Sequence, residues 1–282
     1  MRVALLVSDD PHQDYLVALL DAAFDVCGVL VEPGGAQKDR LWKRRRYADW
    51  LSRRYHGLRR DFNGDNRFRA QHFADLAPSD RCFETVNVKW INSKRAISTM
   101  DRWKPDIAIL CGTNYVKNRV LLAADRAFNI HGGCLPEYKG NHGVFFALAE
   151  GRFDLIGATL HEVSAKLDAG ALVEVVRPPI YPSDNDETLY CRADQLAMLR
   201  LVELLHRIER GDEVPAIRQP EGGRMFRHRD RTPRVELRAW LRRLREPLPC
   251  VPIARIATTI YDSLGEQRLA DPLVEYSPLR SE

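Results

Sequence analysis

The sequence predicts an α/β protein built on a mostly parallel sheet. Three observations carry that expectation. The chain opens with an apolar run, residues 2–7, that does not alternate, as a strand buried on both faces reads. A helical pattern follows at 12–24, with Tyr15, Leu16, Leu19, Leu20 and Ala23 in register, and then a second strand at 26–31. A further buried strand at 106–111 runs straight into the loop Gly112-Thr113-Asn114-Tyr115-Val116. Open α/β sheets bind ligands beyond the carboxyl ends of such strands.

The remaining elements follow in order. Ser8-Asp9-Asp10-Pro11 is a turn with helix-capping residues, and it lacks the GxGxxG of a dinucleotide site. Pro33-Gly34-Gly35 closes the first unit. Residues 38–60 read as one helix with Tyr47, Leu51, Tyr55 and Leu58 on one face, and 61–82 as an irregular insertion. A short strand at 83–88 and a helix at 94–103, capped at Asn92-Ser93, precede the 106–111 strand. A helix is expected at 117–126, a short one at 144–150, strands at 158–163 and 172–180, and a long helix at 186–210.

Composition changes after Gly211. Residues 1–210 read as one domain and 211–282 as a C-terminal extension. The extension holds a basic helix at 234–245, begun by Thr232-Pro233, and a proline-rich tail packed on the main domain or partly disordered.

The 282 residues are 45% hydrophobic and 29% charged, as in an ordinary globular protein, and the net charge is +4. The charge is uneven: residues 38–60 hold ten Lys or Arg against two Asp. Such a run meets phosphates or forms a solvated helix face. Six cysteines without a CxxC pair fit reduced thiols in a cytoplasmic protein. No apolar run is long enough for a signal peptide or a membrane span.

The stretch most suited to chemistry is 128–141, FNIHGGCLPEYKGN. In a strand Asn129 and His131 share a face, at the end of an apolar run beside a glycine loop. A strand-end Asn or His is more often a satisfied structural polar group. The segment Lys166-Leu167-Asp168-Ala169-Gly170 supplies the carboxylate that turns the pair into a catalytic hypothesis. A metal site from His131, Cys134, His142 and Asp168 is the weaker reading, because their spacing matches no zinc pattern.

Four blocks together carry a family resemblance: Asn129-Ile130-His131, Leu135-Pro136-Glu137-Tyr138-Lys139-Gly140, Gly157-Ala158-Thr159-Leu160-His161 and Leu167-Asp168-Ala169-Gly170. In this order they resemble the formyltransferases that use N10-formyltetrahydrofolate. The family includes glycinamide ribonucleotide transformylase, methionyl-tRNA formyltransferase and sugar N-formyltransferases. The resemblance covers roughly residues 1–210 and is weakest at 33–92. It implies a Rossmann-like, mostly parallel seven-stranded sheet and an Asn129–His131–Asp168 triad, with no metal. It implies a folate slot between Gly112, Thr113, Asn114, Tyr115 and Val116 on one side and Val163, Ser164, Lys166 and Leu167 on the other. Ser8, Asp10, Gly132, Gly133, Tyr138, Lys139 and Asn141 are then the acceptor-side candidates. The family commonly has larger residues after the catalytic His, so Gly132-Gly133 is expected to widen the amine side.

The chemistry suits these residue types. An amine attacks the formyl carbon, Asn129 and a protonated His131 donate to the developing oxyanion, and Asp168 favours the imidazolium. The acceptor is harder to read. The two aspartates of the first turn argue against a phosphate there, and hence against the purine substrate. Residues 211–282 show no succession of strands like a tRNA-binding barrel, so nucleic acid is disfavoured. The expectation is a nucleotide-linked amino sugar of cell-surface polysaccharide synthesis, with Trp42, Tyr47, Trp50 and Tyr55 among the basic residues available for stacking. The alternatives are an amino-acid-derived amine or hydroxylamine, methionyl-tRNA, or a silent folate-binding scaffold. The tail leaves room for a homodimer contact.

Overall fold

The first strand lies inside the sheet, and everything else is arranged about it. In the computed structural model, which describes residues 1–76, 83–261 and 267–270 (backbone only for 256–261 and 267–270), β1 (Arg2–Val7) is buried from Val3 onward. It pairs in parallel with β2 (Asp25–Val31) on one side and β4 (Ile107–Cys111) on the other. β3 (Glu84–Asn87) adds to β2, and β5 (Arg126–His131) to β4, again in parallel. β7 (Ala158–Glu162) and β8 (Leu172–Arg177) then continue the sheet antiparallel. The mostly parallel seven-stranded sheet is therefore present. Two strands from the tail, β10 (Arg255–Tyr261) and β11 (Gln267–Ala270), extend it antiparallel to nine in the order β11-β10-β8-β7-β5-β4-β1-β2-β3. The tail therefore supplies strands where no succession of strands is expected from the sequence, and they join the main sheet.

Strand order reverses between β1 and β4, so the crevice beyond their carboxyl ends is where a ligand belongs. α1 (Pro11–Asp21) starts at that crevice, with Pro11 at its first turn and the Gln13 side chain accepting from the Asp10 N–H at 2.9 Å. α8 (Asp186–Glu209) lies against α1 and the sheet. Asn185 and Thr188 cap it reciprocally, at 2.8 and 3.0 Å, a device worth about 1 kcal/mol. α5 (Lys94–Trp103) is capped by Ser93 as expected.

The basic segment is two helices, α2 (Gly34–Lys43) and α3 (Tyr47–Asn63), broken where Arg45 adopts φ 57°. The insertion expected to be irregular carries α4 (Asp65–His72), while 77–82 lie outside the described residues. The helix expected at 117–126 shrinks to one turn, α6 (Asn118–Leu121). After β5 the chain turns through a cis Leu135–Pro136 bond into β6 (Tyr138–Gly140), and α7 (Gly143–Glu150) follows.

Described residues past 210 are built into this frame. Leu172 and Ile217 exchange backbone hydrogen bonds at 2.7 and 2.8 Å. β9 (Arg224–Phe226) pairs in parallel with β6, and α9 (Pro233–Arg245) packs on α7. Among the described residues, no helix is long and apolar enough to cross a membrane, and no disulfide links the cysteines.

Candidate active site

The antiparallel step from β5 to β7 sets Asn129 opposite His161 and His131 opposite Thr159. Asn129 Nδ2 lies 3.0 Å from His161 Nε2, and His161 Nδ1 lies 2.7 Å from the Glu162 carbonyl. A carbonyl only accepts, so Nδ1 carries the proton and Nε2 accepts from the Asn129 amide. Burial, reinforced by His131, lowers the His161 pKa to about 4, which keeps the ring neutral for that role. One N–H of Asn129 is thereby held and the other is left for a ligand.

His131 is buried, and its Nε2 donates to the Tyr138 carbonyl at 2.7 Å. Its exchangeable nitrogen is therefore Nδ1, 3.7 Å from Asp168 Oδ1. Asp168 sits at φ 49°, in the left-handed region. Its Oδ2 accepts from the Gly140 N–H at 2.8 Å. Gln219 Nε2 donates to the carbonyls of Asp168 and Gly170, at 3.0 and 2.8 Å. A residue of the extension thus clamps the loop that presents the carboxylate.

Asn129, His131, His161 and Asp168 line one cavity of about 810 Å³. All nine expected folate-slot residues, 112–116, 163, 164, 166 and 167, are on its wall. The two loops are tied to each other, since Tyr115 Oη donates to the Ala165 carbonyl at 2.6 Å. Asn114 is held by Glu32, to which its side chain donates at 3.1 Å. Glu32 is fully buried beneath the loop.

The acceptor-side candidates divide. Ser8, Asp10, Gly132 and Asn141 reach the cavity. Gly133, Tyr138 and Lys139 are not on its wall. Tyr138 turns away, donating to Glu150 at 2.8 Å and stacking on Phe226, and Lys139 donates to the Gly222 carbonyl. The glycine pair does not leave open space. A Cβ on Gly132 would stand 2.6 Å from the Tyr190 ring, and one on Gly133 would meet the Tyr138 carbonyl at 3.0 Å. The missing side chains are replaced by protein, which corrects the expectation of a widened amine side.

The basic segment reaches the site through arginines and a histidine, not through its aromatic residues. Arg53, His56 and Arg60 of α3 line the cavity, with Arg227, His228 and Arg231 of the extension opposite. Trp42, Tyr47, Trp50 and Tyr55 are off its wall: Trp42 packs on Tyr47 and Trp50, and Tyr55 donates to Glu236. Arg59 pairs with Asp65 and Glu236, Arg69 with Glu187, and Arg231 with Asp186 and Glu236. Arg53 donates to Gln37 at 2.7 Å, and the guanidinium groups of Arg53, Arg60 and Arg227 have no carboxylate partner among the described residues, although the Arg227 backbone N–H donates to Asp230. His56, His142 and His228 cluster between these arginines, with His142 Nε2 3.0 Å from His228 Nδ1. Burial and the surrounding positive charge lower all three, His228 to about 3.

His131, Cys134, His142 and Asp168 do not gather as metal donors; among the described residues the donor atoms that do converge, within 4.8 Å, are those of His12, Cys111 and Asp194. His12 Nδ1 has no hydrogen-bond partner there. A ligating imidazole normally donates its second nitrogen, so this set lacks the support of a metal site.

Residues 82–205 match the family model described as formyl transferase. This segment, a little under half of the chain, is similar to the formyl transferase family. It begins just ahead of β3, ends within α8, and contains Asn129, His131, His161 and Asp168. Methionyl-tRNA formyltransferases of Burkholderia orbicola (strain MC0-3) and Burkholderia ambifaria (strain MC40-6) are each 30% identical over 130 residues, which is 45% of this chain and 39% of theirs. The chain thus spans about two fifths of the length of the curated relatives it matches. The fold is shared more widely. The Mycobacterium tuberculosis protein Rv3404c superposes with a TM-score of 0.53 at 14% identity, over 98% of this chain and 99% of its own. A sugar N-formyltransferase from Shewanella sp FDAARGOS_354 gives 0.51 at 16%, over 95% and 96%. His161 closes the Gly157–His161 block but carries no role in the sequence reading, and Gln219 is not singled out there. His161 could have been found from its register opposite Asn129, whereas Gln219 sits in a Gly- and Pro-rich segment with no pattern around it.

Proposed function

We propose that the protein transfers a formyl group from N10-formyltetrahydrofolate to the primary amine of a nucleotide-linked amino sugar. The observation that carries this reading is that Asn129, His131 and Asp168 share one cavity with two linked loops of the folate slot.

N10-formyltetrahydrofolate supplies the formyl carbon. The free N–H of Asn129, fixed by His161, donates to the formyl oxygen as negative charge develops on it. His131 keeps its Nε2 proton on the Tyr138 carbonyl, so the proton it gives to the departing folate nitrogen is the one on Nδ1. Asp168 Oδ1, 3.7 Å from Nδ1, stands where it can orient that ring. It also takes the proton the amine loses, through a water. The amine nitrogen gains a bond to the formyl carbon, the folate nitrogen loses one, and one proton moves from amine to folate. The acceptor reading rests on Arg53, Arg60 and Arg227, cations without carboxylate partners on the cavity wall, which suit a diphosphate.

The test is release of tetrahydrofolate, followed by absorbance, with a panel of nucleotide-linked amino sugars. His131→Ala and Asp168→Asn should abolish release while folate still binds. Near-full activity in either variant would sink the mechanism. Turnover with methionyl-tRNA and none with any sugar would sink the acceptor reading.

A further inference from the structure

The outward faces of α3 and α9 are apolar where a surface helix is ordinarily polar. On α3, Leu51, Leu58 and Phe62 are exposed at helical spacing, Phe62 to 91%. On α9, Leu237, Trp240, Leu241 and Leu244 form a second exposed arc, with Trp240 at 57%. This arc is not the core face of the helix, because Val235 and Ala239 already fill that role in the cluster around Phe145 and Phe146. The two stripes flank one joint. Tyr55 donates to Glu236 Oε2 at 3.2 Å, and Arg59 Nε lies 3.3 Å from Glu236 Oε1. Glu236 directly precedes Leu237 and lies one turn before Trp240. Exposed apolar surface of this extent marks a contact site.

The charges around it indicate what covers it. Glu236 is engaged by Arg59, Arg231 and Tyr55, Glu246 pairs with Arg242, and Asp61 accepts from Asn66. Arg234, Arg238 and Arg245 are exposed, have no carboxylate partner among the described residues, and by helical spacing fall beside the apolar arc. Arg54 rests on the Trp50 ring, 5.8 Å from its centroid. A second copy would set these arginine fringes against each other. A flat anionic surface would accept leucine and tryptophan side chains at headgroup depth and satisfy the arginines at its rim.

We infer that the α3–α9 face docks on an anionic lipid surface. The test is co-sedimentation of the full chain with vesicles of phosphatidylcholine alone and of phosphatidylcholine mixed with phosphatidylserine. The protein should sediment only with the phosphatidylserine vesicles, less so as salt is raised. The Arg234→Gln, Arg238→Gln, Arg245→Gln triple variant should lower partitioning roughly a hundredfold, at about fivefold per arginine. Phe62→Ser with Trp240→Ser and Leu244→Ser should abolish it with the melting temperature unchanged, since these side chains are exposed. Equal recovery with both vesicle types, or with neither, would overturn the inference. So would a dimer in sedimentation velocity that the serine variant dissolves, which assigns the face to a second copy, or binding to polyglutamate without binding to vesicles, which assigns it to an acidic protein.

Discussion

Asn129 is held by His161, its partner across the β5–β7 ladder, at 3.0 Å. The proposed oxyanion donor and its support are thus positioned by strand register, and only a neutral imidazole can provide that support. Asn129→Ala is expected to lower kcat about a hundredfold or more. His161→Ala should cost at least about tenfold in kcat, with little change in folate KM, because the amide loses its orientation. His161→Gln, whose amide oxygen can still accept, should restore part of the loss in steady-state kinetics.

Gln219 reaches back from the extension to the loop carrying Asp168. Gln219→Ala removes two hydrogen bonds of about 1 kcal/mol each. The expected result is a fall in kcat with a modest drop in melting temperature. Folate binding, measured by fluorescence quenching, should change little.

Gly132 lies under the Tyr190 ring, so Gly132→Ala should be destabilising by about 1–3 kcal/mol through overpacking. Tyr190→Leu leaves room beside that Cβ. Chemical denaturation of the two single variants and the double variant should show a favourable coupling between the positions.

Arg53 and Arg60 face the cavity without carboxylate partners. Arg60→Ala should raise KM for a nucleotide-linked acceptor by about tenfold or more while leaving folate KM unchanged. An acceptor lacking phosphate should show no such effect. Initial-rate kinetics with both acceptor types separates the cases.

The buried histidines make a prediction about pH. His161 is lowered to about 4 and His228 to about 3, and His56 and His142 are lowered too, all chiefly by burial. Below the ordinary histidine value of 6.5 the unfolded chain takes up protons that the folded chain refuses. Stability should therefore fall as pH drops from about 6.5 toward 4. Thermal melts across that range check this, and His228→Gln should flatten the dependence.

Much of the frame is legible from the chain alone, and the reasons are local. The unbroken apolar runs of β1 and β4 have no amphipathic alternative, and Asp186-Glu187-Thr188 announces the start of α8. The break between α2 and α3 is not legible, because the residue that turns there is Arg45, not a glycine or proline. The tail strands are equally silent, since β10 exists by pairing along β8 and β11 by pairing along β10.

The unbroken apolar runs of the chain foretell the parallel sheet, and the resemblance of four short blocks implies the Asn129–His131–Asp168 triad and the loops proposed for folate. Their supports are set by packing between distant segments. The neutral His161 behind Asn129, the Gln219 clamp on the Asp168 loop, Tyr190 in the space of Gly132 and the arginines of α3 opposite Arg227 all come from residues distant in the chain. Contacts of that kind follow from how strands are ordered and helices packed, and no local pattern in the chain specifies them.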